Sequence, residues 1–128
     1  MGSVSNEVRD ARRATGAGGE ELAARFLERQ GWSVVARNWR CRGGELDLIA
    51  TDPDGVLVFC EVKTRRGLGY GDPLEAITYD KVRRLRALAA EYLRSQDRPA
   101  ARVRLDAVGV MLRRDGSGAV THVRGIDA

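Results

Sequence analysis

The chain has 128 residues, 43% hydrophobic and 31% charged, with 22 Lys and Arg against 18 Asp and Glu for a net charge of +4. That length supports one domain with a single core around one sheet, and the mild basic excess permits phosphate binding without the charge density of a histone-like polycation. The two cysteines have neither metal-site nor disulfide-scaffold spacing, and no apolar run is long enough for a membrane span, so a cytoplasmic protein with no membrane partner is expected.

Residues 1–15 mix Ser, Asn, Arg and Gly without a sustained period and read as a flexible basic arm ahead of a single domain, 16–128. Arg9, Arg12 and Arg13 could touch a nucleic-acid backbone there, but a solvated tail is the simpler reading. Residues 18–30 predict a helix: Leu22, Phe26 and Leu27, with Ala23 and Ala24, form an apolar stripe, and Gly31 stands where a C-cap glycine belongs. Glu20 shares the side of that stripe and Glu21 does not. The helix dipole explains a first-turn glutamate as well as any site does. Residues 32–39 read as a strand whose faces the near-continuous apolar run does not fix. Asn38, Arg40 and Arg42 then lead through Gly43 and Gly44 into the central stretch.

Residues 44–63, GELDLIATDPDGVLVFCEVK, read as two strands joined by a tight turn. Alternation puts Glu45, Asp47 and Ile49 on one side of the first strand, and Leu57, Phe59, Glu61 and Lys63 on one side of the second. A register slip of one residue would send Asp47 and Glu61 to opposite faces, so the turn decides. With Pro53, Asp54 and Gly55 as a three-residue loop, Gly55 supplies the left-handed residue of a G1 bulge, and Asp52 and Val56 close it. Asp47 then lies opposite Glu61, and Glu45 opposite Lys63. A two-residue loop would instead set Asp47 against Cys60. The bulged loop is preferred because it explains the position of the glycine. Like charges directly across a strand pair repel. A divalent cation reverses the sign of that interaction, and hard carboxylate oxygens suit Mg²⁺ or Mn²⁺. Lys63, one pleat further on, could orient the attacking water or steady charge on a phosphate.

Residues 64–73 are glycine-rich and basic but lack the residue order of an NTPase phosphate loop. Arg65 and Arg66 leave the strand where they could grip a phosphate, and Tyr70 could stack on a base. Residues 78–95 predict a second helix with Thr78 as N-cap and Val82, Leu85, Leu88, Ala89, Tyr92 and Leu93 as its apolar face. Lys81 and Arg84 belong to its basic side. Residues 102–112 predict a strand buried through Val103, Leu105 and Ala107, with Asp106 turned the other way in an exposed ion pair with Arg104. Residues 119–124 would add an edge strand, with His122 at the surface. The order of elements gives an α/β sandwich.

Asp47 followed by Glu61-Val62-Lys63 resembles the PD-(D/E)XK signature of restriction-endonuclease-like nucleases, with Leu46 where a residue of the signature's leading pair would stand. GGEELAARFLERQGW, NWRCRGGELDLIA, VFCEVKTR and the KVRRL of the second helix together make residues 16–110 similar to the YraN family of small bacterial proteins. The resemblance implies a restriction-endonuclease-like core, a mixed central β-sheet flanked by helices, similar to archaeal Holliday-junction resolvases. It implies a Mg²⁺- or Mn²⁺-dependent endonuclease in which Asp47 and Glu61 hold the metal, Glu20 adds a further carboxylate and Lys63 acts on the water. Lys81 stands where the family has a lysine, and Asp106 also falls within the pattern. Arg65, Arg66, Lys81 and Arg84 would bind nucleic acid, DNA ahead of RNA. No sequence-specific reader is visible, so a junction, flap or single strand is the expected substrate. A two-fold homodimer, as in the resolvases, would set two sites on two strands. The alternative is a catalytically silent nucleic-acid-binding or adaptor protein that keeps the fold.

Overall fold

The computed structural model describes residues 3–8, 18–66, 72–97 and 102–127. In chain order these form β1 (Ser3–Val8), α1 (Gly18–Arg29), β2 (Ser33–Cys41), β3 (Gly44–Thr51), β4 (Leu57–Arg66), a 3-10 turn (Pro73–Ala76), α2 (Tyr79–Ser95), β5 (Val103–Leu112) and β6 (Gly118–Val123). The strands make one sheet in the order β1-β6-β5-β4-β3-β2. Only the β4–β5 pair is parallel. That pair needs a crossover, and the segment carrying α2 provides it. The result is the mixed-sheet α/β architecture of a restriction-endonuclease-like core.

Strand alternation sorts the side chains into two cores, one on each face of the sheet. On one face Leu22, Phe26 and Leu27 of α1 pack against Leu48, Val58, Cys60, Val108 and Val110. On the other, Leu85, Leu88 and Tyr92 of α2 pack against Ile49, Phe59 and Leu105. The Tyr92 ring meets Trp39 and Phe59 edge-on, with centroids 5.3 and 5.6 Å away. Helices on both faces explain why β4 and β5 read as nearly continuous apolar runs.

The hairpin adopts the bulged loop. Asp52 N–H donates to the Val56 carbonyl, and Gly55 N–H to the Asp52 carbonyl, both at 2.9 Å. Gly55 has φ of 86°, the left-handed conformation that favours glycine. The Asp52 carboxylate accepts the amides of Asp54 and Val56 at 2.9 and 3.0 Å. The resulting register pairs Thr51 with Leu57 and Leu48 with Cys60. Thr78 caps α2 by accepting the Lys81 amide at 3.2 Å, and Gly31 follows α1 with φ of 91°.

Three readings change. β6 is an interior strand, paired with β5 on one side and β1 on the other, so His122 is buried at 1% exposure and is not a surface residue. β5 is buried on both faces beyond its first residues: Val103 is 49% exposed, while Asp106 is 0% exposed, so its pair with the partly exposed Arg104 is half-buried and not a surface pair. Ser3–Val8, read as part of the basic arm, run as a strand along β6. Arg9, Arg12, Arg13 and Tyr70 lie outside the described residues.

Candidate functional site

The site forms where the sheet opens. The β3–β4 ladder stops at Leu48 and Cys60. Its alternation would next carry the Val62 amide to the Leu46 carbonyl. Instead Val62 N–H donates to Asp47 Oδ2 at 2.9 Å, so a side chain replaces the strand carbonyl. The neighbouring β2–β3 ladder keeps its register at this level, but Asn38, between the pairs Arg37–Leu48 and Trp39–Leu46, takes a left-handed φ of 50°. Asp47 Oδ1 receives no hydrogen bond among the described residues.

Asp47 and Glu61 line one cavity of about 220 Å³, with Gly43, Gly44 and Glu45 at its rim and Lys81, Arg84, Leu85 and Leu88 of α2 completing it. The α2 residues recur at i, i+3, i+4 and i+7, one face of a helix. The two carboxylates therefore share a face of the sheet, as the bulged turn predicts. Continuing the register sets Asp47 against Glu61, although the strands have already parted there.

Burial pushes the Asp47 carboxyl up to about 7, against the pull of the Val62 amide, and the charges of Glu61, Glu20 and Glu45 push it further. Glu61 is also raised by burial, but Lys81, Lys63 and Arg84 counter the effect, so it keeps more cationic compensation. Lys63 is held below the usual lysine value, first by its contact with Lys81 and then by burial. Two lysines from β4 and α2 thus crowd together beside the carboxylates.

The remaining predicted residues surround this centre without lining the cavity. Glu20 accepts a hydrogen bond from Asn38 Nδ2 at 2.9 Å, and its charge acts on both Asp47 and Glu61. It comes that near because Gly19 lets α1 touch β4: a Cβ on Gly19 would lie 1.9 Å from Thr64 Oγ1. Glu45 pairs with Arg40 Nε at 3.0 Å rather than with Lys63. Arg65 and Arg66 continue β4 past Lys63, and Arg65 Nε is buried with no hydrogen-bond partner among the described residues. No three His, Cys, Asp or Glu side chains among the described residues gather closely enough to hold an ion as a group.

A second carboxylate centre lies on the α1 face, and sequence reasoning missed it. Asp106 accepts from Arg104 Nε and Nη2 at 2.8 and 3.1 Å and from the Gly125 amide at 3.0 Å, while His122 Nε2 stands 2.8 Å from its Oδ2. Arg104 also donates to Asp52 at 3.1 Å, tying the hairpin turn to β5. The Trp32 ring packs on His122 at 5.3 Å, with the Arg104 and Arg124 guanidinium groups 5.7 and 5.8 Å from its centre. Burial pushes the Asp106 carboxyl upward, yet the His122, Arg104 and Gly125 hydrogen bonds outweigh it and hold it below the ordinary aspartate value. Every oxygen here is satisfied, which is the mark of a structural network. An Arg-Leu-Asp alternation with a lone His in the next strand carried no signal of it, because a half-exposed strand has the same pattern.

The model of the family described as "Uncharacterised protein family UPF0102" matches residues 19–110. The chain belongs to UPF0102. The match includes Glu20, Asp47, Glu61, Lys63, Lys81, Arg84 and Asp106, and it ends before His122. A UPF0102 protein of Rhodococcus jostii is 55% identical over 111 residues, covering 87% of this chain and 93% of the relative. Those of Nocardia farcinica and Mycobacterium avium are 50% identical over 115 residues and 48% over 127, covering 90% and 98% of this chain and 90% and 99% of theirs. UPF0102 is the family resembled at the level of motifs as YraN. In this UPF0102 member no helix among the described residues is long and apolar enough to cross a membrane.

Proposed function

We propose that the protein is a metal-dependent nuclease that hydrolyses phosphodiester bonds in structured or single-stranded nucleic acid, DNA ahead of RNA. The observation that carries this reading is Asp47. Its Oδ2 is fixed by the Val62 amide, while the carboxylate stands beside Glu61 in a basic-walled cavity. A carboxyl held at about 7 by burial and acidic neighbours is a group short of a cation. Mg²⁺ or Mn²⁺ fits the donor set, because these ions bind through one or two carboxylates and complete their shell with water and phosphate oxygen.

Asp47 and Glu61 would hold the ion, while Glu20, expected as a further carboxylate, does not gather with them into a three-ligand group and adds only its charge nearby. When bound, the ion supplies Lewis-acid polarisation of the phosphoryl group and a more acidic water. Lys63 orients that water or the phosphate. Lys81 and Arg84 face the cavity and grip phosphate oxygens, and Arg65 and Arg66 extend the contact along the backbone. A two-fold homodimer and a cytoplasmic location, in keeping with the free thiols of Cys41 and Cys60, belong to the same proposal. One observation favours a catalytically silent binding protein instead: Lys81, Lys63 and Arg84 already offset the charge of Glu61.

A cleavage panel decides between them. Branched, single-stranded and duplex DNA and RNA are incubated with Mg²⁺ or Mn²⁺, beside a Lys63→Ala control. Cleavage of at least one branched or single-stranded substrate, lost in the control, is the expected result. Binding of those substrates with no product under any condition would leave the silent reading.

A further inference from the structure

The α2 face of the sheet carries a second, larger cavity that the carboxylate site does not use. It encloses about 500 Å³, within the range of pockets that hold small organic ligands. Its floor is Ala107 of β5 and Val123 of β6. The sheet register fixes where that floor lies: Glu61 pairs with Ala107, and Ala107 pairs with Val123. Glu61, Ala107 and Val123 therefore form one row across adjacent strands, each step about 4.8 Å. α2 walls both cavities. Lys81 and Arg84 line the carboxylate site, whereas Tyr79 and Val82 line the larger cavity.

We infer that this groove receives an unpaired nucleobase of the strand whose phosphate sits at Asp47 and Glu61. The inference rests on the nuclease reading and adds to it a base subsite. Leu74, Val82 and Ile126 give apolar walls for the flat faces of a base. The Leu74 wall stands close to the sheet because Gly109 has no Cβ, which would come within 3.0 Å of the leucine. Tyr79 lines the groove and is 76% exposed, an aromatic ring left largely uncovered and placed to stack. Arg86 and Asp127, a loose ion pair at the rim with Nε and Oδ2 3.8 Å apart, keep further donor and acceptor positions of the kind a base edge needs. Charge agrees with the occupant, since the wall shared with the carboxylate site carries Lys81 and Arg84. A base held here must be out of its duplex, which gives a physical origin for preference toward single strands, flaps or junctions.

The test uses the full chain with Ca²⁺ in place of Mg²⁺ or Mn²⁺, so that the carboxylates are neutralised while binding is read apart from cleavage. Amide chemical shifts and affinity are followed during titration with a short single-stranded oligodeoxynucleotide and with an all-abasic strand of equal phosphate count. The base-containing strand should shift Glu61 and Lys81 together with Val123, Gly125 and Ile126, while the abasic strand shifts only the first group and binds roughly tenfold more weakly. Tyr79→Ala should weaken the base-containing strand several-fold and leave the abasic strand unchanged. Ile77→Trp, which fills the groove, should do the same. Because Tyr79 is exposed, its variant keeps the test informative even where Ile77→Trp fails to fold. Equal affinity for both strands, or groove amides that stay still, overturns the base subsite while the nucleic-acid reading stands. Groove shifts that follow protein concentration instead of probe would identify a second copy as the occupant and would likewise overturn the base subsite. Binding of neither strand at Glu61 and Lys81 overturns both.

Discussion

The protein holds two acidic centres on opposite faces of one sheet, and they are built on opposite principles. Asp106 is wholly buried and meets a guanidinium, an imidazole and a backbone amide. Asp47 is less buried but receives one amide and has three carboxylates as its electrostatic neighbours. One centre is compensated from within the fold, and its carboxyl is depressed. The other is left short of positive charge, and its carboxyl rises to about 7. Depth of burial alone does not distinguish the two environments. The balance of partners separates the compensated carboxylate from the uncompensated one, at which the ligand is proposed to bind.

The strongest way to break this contrast is to remove the compensated acid. Asp106→Ala leaves Arg104 and His122 without their common partner and should cost about 3–5 kcal/mol in urea denaturation. Gly19→Ala should cost about 1–3 kcal/mol in the same assay, because the new Cβ collides with Thr64 where α1 meets β4. Asp47→Asn should have the opposite sign: in metal-free buffer above pH 7 it should stabilise the protein by about 1–2 kcal/mol, since it deletes an ill-compensated charge.

The pH dependence sharpens the same comparison. The folded-state value of Asp47 lies near 7, above its unfolded value, so the native state binds more protons between about pH 4 and 7. Its contribution to stability is present below that window and is lost as pH rises through it. Asp106 is depressed, so its contribution is present above about pH 4 and is lost as pH falls through the folded value. The advantage of Asp47→Asn should accordingly shrink as pH falls from about 7 and vanish below about pH 4. The smallest expected effect is that of Lys81→Ala, which should weaken nucleic-acid binding by about 1 kcal/mol and lower the salt slope by about one counterion.

The proposed functional centre was more legible in sequence than the Asp106 network, for a physical reason. Asp52-Pro53-Asp54-Gly55 specifies a turn chemistry, the turn specifies a register, and the register puts Asp47 and Glu61 on one face. Each step is local. The Asp106 network depends on β6 lying beside β5 and on Trp32 and the hairpin turn closing over it, which are long-range arrangements that alternation in β5 does not encode. β1 was illegible for a similar reason: SVSNEV becomes a strand only against the edge that β6 offers. The parting of β3 from β4 at Asp47 also escaped the sequence, as did the left-handed backbone of Asn38 beside it, a conformation asparagine tolerates but does not dictate.

The most direct measurement is an NMR titration of the Asp47 side-chain carboxyl, with and without Mg²⁺. The account predicts a midpoint at about 7 in metal-free buffer and a fall of at least one unit (roughly) with saturating Mg²⁺, as the cation supplies the missing charge. An Asp47 that titrates at an ordinary aspartate value and ignores Mg²⁺ would contradict it.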